Sequence, residues 1–352
     1  HEFQCEGSCI RGKKGEAVAI GMLERYIVDW MVHQGKNMVK SCALPRDAKV
    51  AIIGSGPAGM AVAYYLAHDG YHCTIFEALP VLGGMLSVGI PAYRLPRYII
   101  NAEFEALKNC GVEIVHNVQI GVDKTLEDLH KEGFSAVFMS PGAHASRKLG
   151  IEGEDLKGVM HGVDYLRDVN MGKDVKLGRD VVVVGGGNVA IDVARTALRT
   201  GSENVFILYR RTITEMPAAK AEIHHLQEEG VKVEILAAPI KIHGENGRLK
   251  QVECLRMRLG ECDASGRCRP VAIEGSNFMI RADAVIAAVS QNVDATAAAG
   301  TDIAMTKWGT FAVDPVTLQA NVPWVFAGGD AVLGPQTAAK AVHQGRVAAE
   351  SI

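Results

Sequence analysis

Three features of the sequence predict an α/β fold with two parallel sheets, each flanked by helices. Valine, isoleucine, alanine and glycine are abundant while aromatic residues make up only 6% of the chain. That balance suits buried parallel strands alternating with helices better than an aromatic-rich β-sandwich. Two segments repeat one pattern of apolar strand, tight glycine turn, helix and second strand, and that order gives a right-handed βαβ crossover in each. The 352 residues, 48% of them hydrophobic, are enough for two domains with separate cores.

The chain begins with a segment unlike the rest. Residues 1–45 hold Cys5-Glu-Gly-Ser-Cys9, a helical pattern over Ala17–Val32 and a polar stretch ending at Pro45-Arg46. They read as the tail of a separate small helical domain plus a linker. There is no initiator Met or apolar leader before Cys5, and the last residues fall inside a helical pattern, so the expectation is a piece of a longer polypeptide.

The first repeat runs Lys49-Val-Ala-Ile-Ile-Gly54-Ser55-Gly56-Pro57-Ala58-Gly59, then a helical stretch Met60–Asp69, then Cys73-Thr-Ile-Phe-Glu77. In such a unit Gly54 turns the chain, Gly56 admits a pyrophosphate to the backbone and Gly59 lets the helix pack on the strand. The helix start offers free N–H groups and a positive dipole end. Glu77 is placed to accept hydrogen bonds from ribose hydroxyls, as Rossmann-like dinucleotide-binding domains require.

The second repeat has Gly185, Gly187 and Ala190, a G-x-G-x-x-A turn. At the end of its second strand stands Tyr209-Arg210-Arg211 instead of an acid. A carboxylate there would repel a 2′-phosphate, whereas guanidinium groups bind one bidentately, so NADPH is favoured and NADH is the alternative. The competing reading makes Arg210 and Arg211 solvated surface charges. Two dissimilar turns suggest two nucleotides, one a tightly held flavin such as FAD and one that exchanges.

Near the end, Trp324-Val-Phe-Ala-Gly328-Gly329-Asp330 reads as an apolar strand entering a glycine turn, with a helix from Gln336 to Ser351. This segment is expected to return to the first domain. The predicted organisation is therefore residues 1–45 as helical tail and linker, 46–150 plus 311–352 as the FAD domain, and 151–310 as the NAD(P)H domain.

Several classes are excluded or disfavoured. The net charge of −3 and the lack of a basic stripe argue against nucleic acid, and the apolar runs are too short to span a bilayer. Unpaired cysteines in such a chain favour a reducing cytoplasm. Cys262-Asp-Ala-Ser-Gly-Arg-Cys268 reads as a surface hairpin with two functionless thiols, and no further ligands stand at zinc spacing. No cysteine lies between Gly84 and Cys110 or flanks Ala190, which disfavours a flavin–disulfide relay. His224-His225 reads as a solvated helix surface.

The chain resembles the small (β) subunit of bacterial glutamate synthase and its relatives, among them the electron-input half of dihydropyrimidine dehydrogenase and electron-bifurcating flavoprotein subunits. The stretches that carry the resemblance are Gly83-Gly84-Met85-Leu86 through Gly89-Ile-Pro-Ala-Tyr93-Arg94-Leu-Pro96, Tyr209-Arg210-Arg211 with Glu215-Met-Pro-Ala218, and Gly328-Gly329-Asp330 with Gln336-Thr337-Ala338. The resemblance implies that Gly54–Gly59 and Glu77 hold the ADP half of FAD, that Gly84, Met85 and Arg94 lie along the flavin, and that Asp330 meets the ribityl-pyrophosphate region. It further implies that Gln336, Thr337 and Ala338 present backbone N–H groups to the flavin ring, and that Gly187, Asn188, Val189, Arg210 and Arg211 hold NADPH. Ser290 departs from the family's usual glycine and adds a side chain beside the expected NADPH site. In the family a cysteine-rich helical domain with two 4Fe–4S clusters precedes the FAD domain. By that likeness Cys5 and Cys9 serve different clusters and Glu24 completes one, with the remaining ligands outside this segment.

The function implied is transfer of a hydride between NADPH and FAD, with electrons passed through the clusters to another redox subunit or domain, ferredoxin among the candidates. Hydride transfer needs stacking and alignment rather than an acid or base, so no catalytic residue is assigned. Two alternatives stay open: a silent nucleotide-binding structural or sensor subunit, and a cluster-free NADPH-dependent small-molecule reductase.

Overall fold

The computed structural model describes residues 4–35, 43–264 and 266–352. It opens with helices α1 (Gln4–Gly7) and α2 (Ile20–His33). On α2 the apolar side chains of Met22, Leu23, Tyr26, Ile27 and Trp30 are exposed, a stripe at helical spacing with no core beneath it. Part of the expected linker, residues 36–42, lies outside the described residues.

The first glycine-turn unit is β1 (Lys49–Ile53), α3 (Pro57–His68) and β2 (His72–Glu77), continued by α4 (Met85–Val88), α5 (Arg97–Asn109), β3 (Glu113–His116), α6 (Leu126–Lys131) and β4 (Phe134–Met139). After a short strand β5 (Ala145–Ser146) come β6 (Val159–His161) and α7 (Gly162–Asn170). The second unit is β7 (Asp180–Val184), α8 (Asn188–Arg199) and β8 (Asn204–Tyr209), continued by α9 (Lys220–Glu228) and β9 (Lys232–Ile235). Then follow β10 (Ala237–Glu245), β11 (Arg248–Cys262), β12 (Cys268–Ala272), β13 (Phe278–Arg281), β14 (Ala284–Ala287) and β15 (Gln291–Asn292). The chain closes with β16 (Val325–Ala327), α10 (Asp330–Leu333) and α11 (Ala338–Ser351).

These strands build two five-stranded parallel sheets, in the orders β16-β4-β1-β2-β3 and β6-β14-β7-β8-β9. The central strands explain the composition. Val50–Ile53 and Val181–Val184 are buried on both faces, so each reads as a continuous apolar run. In each sheet the central strand is followed by a neighbour on one side and flanked on the other by a strand from much later in the chain. This leaves a crevice at the carboxyl ends of β1 and β7, where open α/β sheets bind ligands.

The return of the final segment is a feature of the fold. β16 pairs in parallel with β4, Val325 beside Val137, and α11 lies against α3. Contact is so close that a Cβ at Gly345 would stand 2.4 Å from the Ala58 carbonyl oxygen. An antiparallel layer of β10, β11, β12 and β13 packs against the second sheet through a core that includes Val182, Leu208, Ile242, Val252 and Val285.

One expectation is corrected. Cys262 and Cys268 are not separate thiols but a disulfide. The reason is register: they stand directly opposite each other where β11 and β12 meet, so the hairpin brings their side chains together. Cys5, Cys9, Cys73 and Cys254 are thiols.

Candidate functional site

The first turn is shaped by close backbone approach. Gly54 has φ +91°, and a Cβ there would stand 2.5 Å from the Ser140 carbonyl oxygen at the end of β4. A Cβ at Gly59 would be 2.1 Å from the Gly54 carbonyl oxygen, so any larger residue would push α3 off its strand. By contrast, nothing lies within 4 Å of a Cβ position at Gly56, which begins α3 and faces open space. That vacant approach beside a helix N-terminus is what a pyrophosphate needs.

Glu77, at the end of β2, is buried. One carboxylate oxygen accepts from the Ser55 backbone N–H at 3.0 Å and from Ser55 Oγ at 2.5 Å, and the other accepts from the Leu79 N–H at 2.8 Å. Ser55 Oγ in turn accepts from the Gly83 N–H at 2.9 Å. Glu77 thus ties the glycine turn to the loop before α4, and the second lone pair on the Leu79-facing oxygen is left for a hydroxyl.

A single cleft of about 500 Å³ opens over this turn. It gathers Gly54, Ser55, Gly56, Pro57 and Ala58, then Glu77, then Gly84, Met85 and Arg94. From the C-terminal segment it takes Gly329, Asp330, Gln336, Thr337 and Ala338, and from the second turn Asn188 and Val189. Gly59, Gly185, Gly187, Arg210 and Arg211 do not line it. Asp330 accepts from the Gln336 N–H at 3.0 Å, and burial pushes its carboxyl up to about 6. Thr337 caps α11, accepting from the Lys340 N–H at 3.2 Å, and the start of that helix, with its positive dipole end, lines the cleft.

The second turn repeats the logic. A Cβ at Gly185 would stand 2.3 Å from the Ala288 carbonyl oxygen, and Gly187 begins α8. The Tyr209 ring covers Gly186, and its hydroxyl donates to the Glu215 carbonyl at 2.8 Å. Asn188 Oδ1 accepts from the Ala219 N–H at 3.2 Å, which fastens the Met216-Pro217-Ala218 stretch to the turn. Arg210 is exposed, while Arg211 is buried and its Nε donates to the Cys268 carbonyl at 2.8 Å. Partial burial and the charges of Arg211, Arg267 and Arg147 lower the pKa of Arg210. Among the described residues none of these four guanidinium groups is ion-paired. Ser290 is exposed, and its carbonyl accepts from the Arg147 N–H at 3.2 Å.

Asp192 and His144 also line the cleft and were not foreseen. Arg94 lines the wall, but its guanidinium is held by Asp192 of α8, and its Nε lies 3.8 Å from Glu222 of α9. Arg195 bridges Glu222 at 2.5 Å and Glu229 at 2.7 Å, and Arg199 also reaches Glu229 at 2.7 Å. The Tyr93 ring sits under Arg199 at 4.2 Å. Burial raises the Asp192 carboxyl to about 6 despite the opposing Arg94 charge. The available signal was spacing: Asp192 is four residues after Asn188 and shares its helix face. His144 also lines the cleft, and burial lowers its pKa, which favours the neutral ring. Gln291 donates to the Ala143 carbonyl at 3.1 Å. The isolated His144 carries no local pattern that sequence could have revealed.

At the other end of the chain, Cys5 and Glu24 are exposed. The Val18 N–H donates to Cys9 Sγ at 3.5 Å, and this bond, with that from Arg11, lowers the thiol's pKa. Cys5, Cys9 and Glu24 do not come together, and no group of three metal-ligating side chains forms among the described residues. Within the described residues no helix is long and apolar enough to cross a membrane.

Residues 48–345 match the pyridine nucleotide-disulphide oxidoreductase family, and residues 1–36 match the dihydropyrimidine dehydrogenase domain II, 4Fe-4S cluster family. Among similar proteins, the NADP(+)-dependent formate dehydrogenase subunit beta of Moorella thermoacetica is 46% identical over 99% of this chain and 52% of its own length. The NADPH-Fe(3+) oxidoreductase subunit beta of Geobacter sulfurreducens is 42% identical over 99% of this chain and 56% of its own. The glutamate synthase (NADPH) small chain of Azospirillum brasilense is 35% identical over 99% and 75%. The chain therefore spans about half the length of the first two relatives. In fold it is similar to FprA of Mycobacterium tuberculosis, with TM-score 0.76 at 21% identity over 87% of this chain and 84% of that one.

Proposed function

The chain belongs to the pyridine nucleotide-disulphide oxidoreductase family, among the relatives of the glutamate synthase small chain, and from that premise we propose how its two turns divide the work. It is an NAD(P)H-dependent FAD oxidoreductase subunit. In our reading FAD lies over Gly54–Gly59, with its ribose on Glu77, and NADPH lies over Gly185–Ala190, with its 2′-phosphate at Arg210 and Arg211.

The observation that carries this reading is the shared cleft. Its walls come from the first turn, from Met85–Arg94, from the start of α11 and from Asn188, Val189 and Asp192 of the second unit. A flavin and a nicotinamide anchored on separate sheets would meet in one space. The open approach at Gly56 and the free lone pair of Glu77 fit the FAD end, and unpaired guanidinium groups fit a 2′-phosphate. When bound, the flavin supplies a two-electron acceptor that can pass electrons on singly.

The chain's own residues bind, orient and exclude water. Arg97 donates to the carbonyls of Leu86, Leu95 and Ile90, which fixes the loop that carries Met85 and Arg94. The amides at the start of α11 offer partial positive charge where reduction builds negative charge. Cys5 and Cys9 would each contribute one ligand to a 4Fe–4S cluster, and such clusters would supply one-electron carriers toward a partner redox subunit or domain. The backbone N–H groups that lower the Cys9 thiol's pKa favour its thiolate form, and a cluster's four ligands require further cysteines beyond Cys5 and Cys9.

Anaerobic addition of NADPH to the flavin-loaded protein tests the reading. Flavin absorbance near about 450 nm should bleach. An unchanged spectrum in protein that retains FAD would leave only a nucleotide-binding structural role. Iron and sulfide analysis of the full-length polypeptide tests the cluster step.

A further inference from the structure

The hairpin joining β11 and β12 reaches the loop after β8. Both backbone polar groups of Cys268 are engaged by the Arg210–Glu215 loop: its carbonyl accepts from Arg211 Nε at 2.8 Å, and its N–H donates to Glu215 Oε1 at 3.3 Å. Glu215 in turn caps Thr212 in the same loop. Where Cys268 sits therefore sets where Arg211 sits. The residue before it, Arg267, is close enough to Arg210 for its charge to be felt there. A tight turn at Asp263 holds Arg267, accepting from its N–H at 3.1 Å, and the Cys262–Cys268 bond closes that turn. Between Leu259 and Cys262 the pairing register shifts, so regular ladder bonding does not hold this end of the hairpin.

We propose that the Cys262–Cys268 pair is a thiol–disulfide switch on the 2′-phosphate end of the NADPH site, its disulfide form holding Arg267 and the Cys268 carbonyl in place beside Arg210 and Arg211. This rests on the NADPH reading above and adds to it a modification site and one specificity-determining residue, Arg267.

The chemistry is exchange with a dithiol reductant. A thiolate of the reductant attacks Sγ of the exposed Cys262, the Cys262–Cys268 bond breaks, and Cys268 leaves as a thiolate that takes up a proton. The neighbouring guanidinium groups favour that leaving thiolate. The second thiol of the reductant then displaces Cys262, so the reductant ends as a disulfide and the pair gains two electrons and two protons. With the bond gone the hairpin end loosens, Arg267 leaves the cluster and Arg211 loses its fixed acceptor. An oxidised dithiol compound reverses the step.

The test measures NADP+ and NAD+ binding by calorimetry on the flavin-loaded full chain, oxidised and after treatment with dithiothreitol, with thiol counting to confirm the state of the pair. Reduction should weaken NADP+ binding by about tenfold, or about 1.4 kcal/mol, and leave NAD+ unchanged. The double substitution Cys262→Ser/Cys268→Ser should bind NADP+ like the reduced protein and ignore dithiothreitol. Arg267→Ala should weaken NADP+ in the oxidised state, independently of any damage to the hairpin cross-link. Equal NADP+ affinity in both redox states, with preference for NADP+ over NAD+ retained, would overturn the switch and leave the NADPH reading standing. Loss of that preference in the oxidised wild-type protein would overturn the NADPH reading itself.

Discussion

Arg94 reaches out of the loop after α4 and places its guanidinium on the carboxylate of Asp192 in α8, so that loop and the helix of the second glycine turn share a buried ion pair. Both side chains are nearly excluded from solvent, and Glu222 is the other carboxylate near Arg94. Replacing Asp192 with Ala leaves a buried guanidinium with one carboxylate at 3.8 Å. Such a break should cost about 3 kcal/mol in urea unfolding. The loop carrying Met85 would lose its anchor on α8, and flavin reduction by NADPH should slow by about tenfold or more. Wild-type stability together with wild-type reduction rate would show that the pair neither holds nor aligns the two halves.

Glu77 accepts three hydrogen bonds from the chain itself, from two groups of Ser55 and from Leu79. Glu77→Ala should leave these donors unsatisfied, lower stability by about 2 kcal/mol and weaken FAD retention by about tenfold or more. Flavin content of the purified protein and its thermal melt report the two effects separately.

Asp330 gives a pH dependence with a definite sign. Its carboxyl titrates near about 6 in the fold against 3.8 for the free side chain, because burial disfavours the charged form. The fold therefore favours the protonated acid. Stability from this group is complete below pH 3.8 and is lost as pH rises through about 6. In flavin-free protein, Asp330→Asn should remove that decline, so the variant gains on the wild type between about pH 4 and 6. Melting temperatures of both proteins across this range decide it; a constant difference would refute the assignment.

Arg210 has no ion-pair partner among the described residues, and its neighbours Arg147, Arg211 and Arg267 are cations. Arg210→Ala should raise KM for NADPH by about tenfold and leave KM for NADH within about twofold, since only the first ligand carries the 2′-phosphate. Steady-state kinetics with both nucleotides make the comparison. A parallel rise for NADH would place Arg210 elsewhere than at the 2′-phosphate.

Gly59→Ala tests the packing of the first turn. The added methyl would stand 2.1 Å from the Gly54 carbonyl oxygen and 3.2 Å from Ile52. The helix would have to move, at a cost of about 2 kcal/mol or more, with loss of bound flavin.

What the sequence revealed was local and periodic. The glycine turns, the strands feeding them and Glu77 at the next strand end all obey short-range rules, so their geometry could be anticipated from residue types. The span of helix α3 shows the limit: Pro57 begins it, three residues before the apolar pattern at Met60 suggested, because proline is well tolerated in a first helical turn. Asp192, Glu222 and His144 were missed because their roles depend on contacts between segments far apart in sequence. The disulfide was missed for a related reason. Compartment reasoning treats cysteines one at a time, whereas Cys262 and Cys268 face each other only once β11 and β12 have paired.

The pairing of β16 with β4 and of α11 with α3 has a consequence for how this polypeptide comes into being. On a ribosome, β1 to β4 emerge before the second sheet, but the edge that β16 covers stays bare until that whole sheet and its antiparallel layer have been made. Over that interval the exposed strand β4 and the bare flank of α3 need shelter from unintended partners. The second sheet draws all its strands from residues 159–287 and can close in the meantime. Of the two sheets, the one begun first is therefore the one completed last.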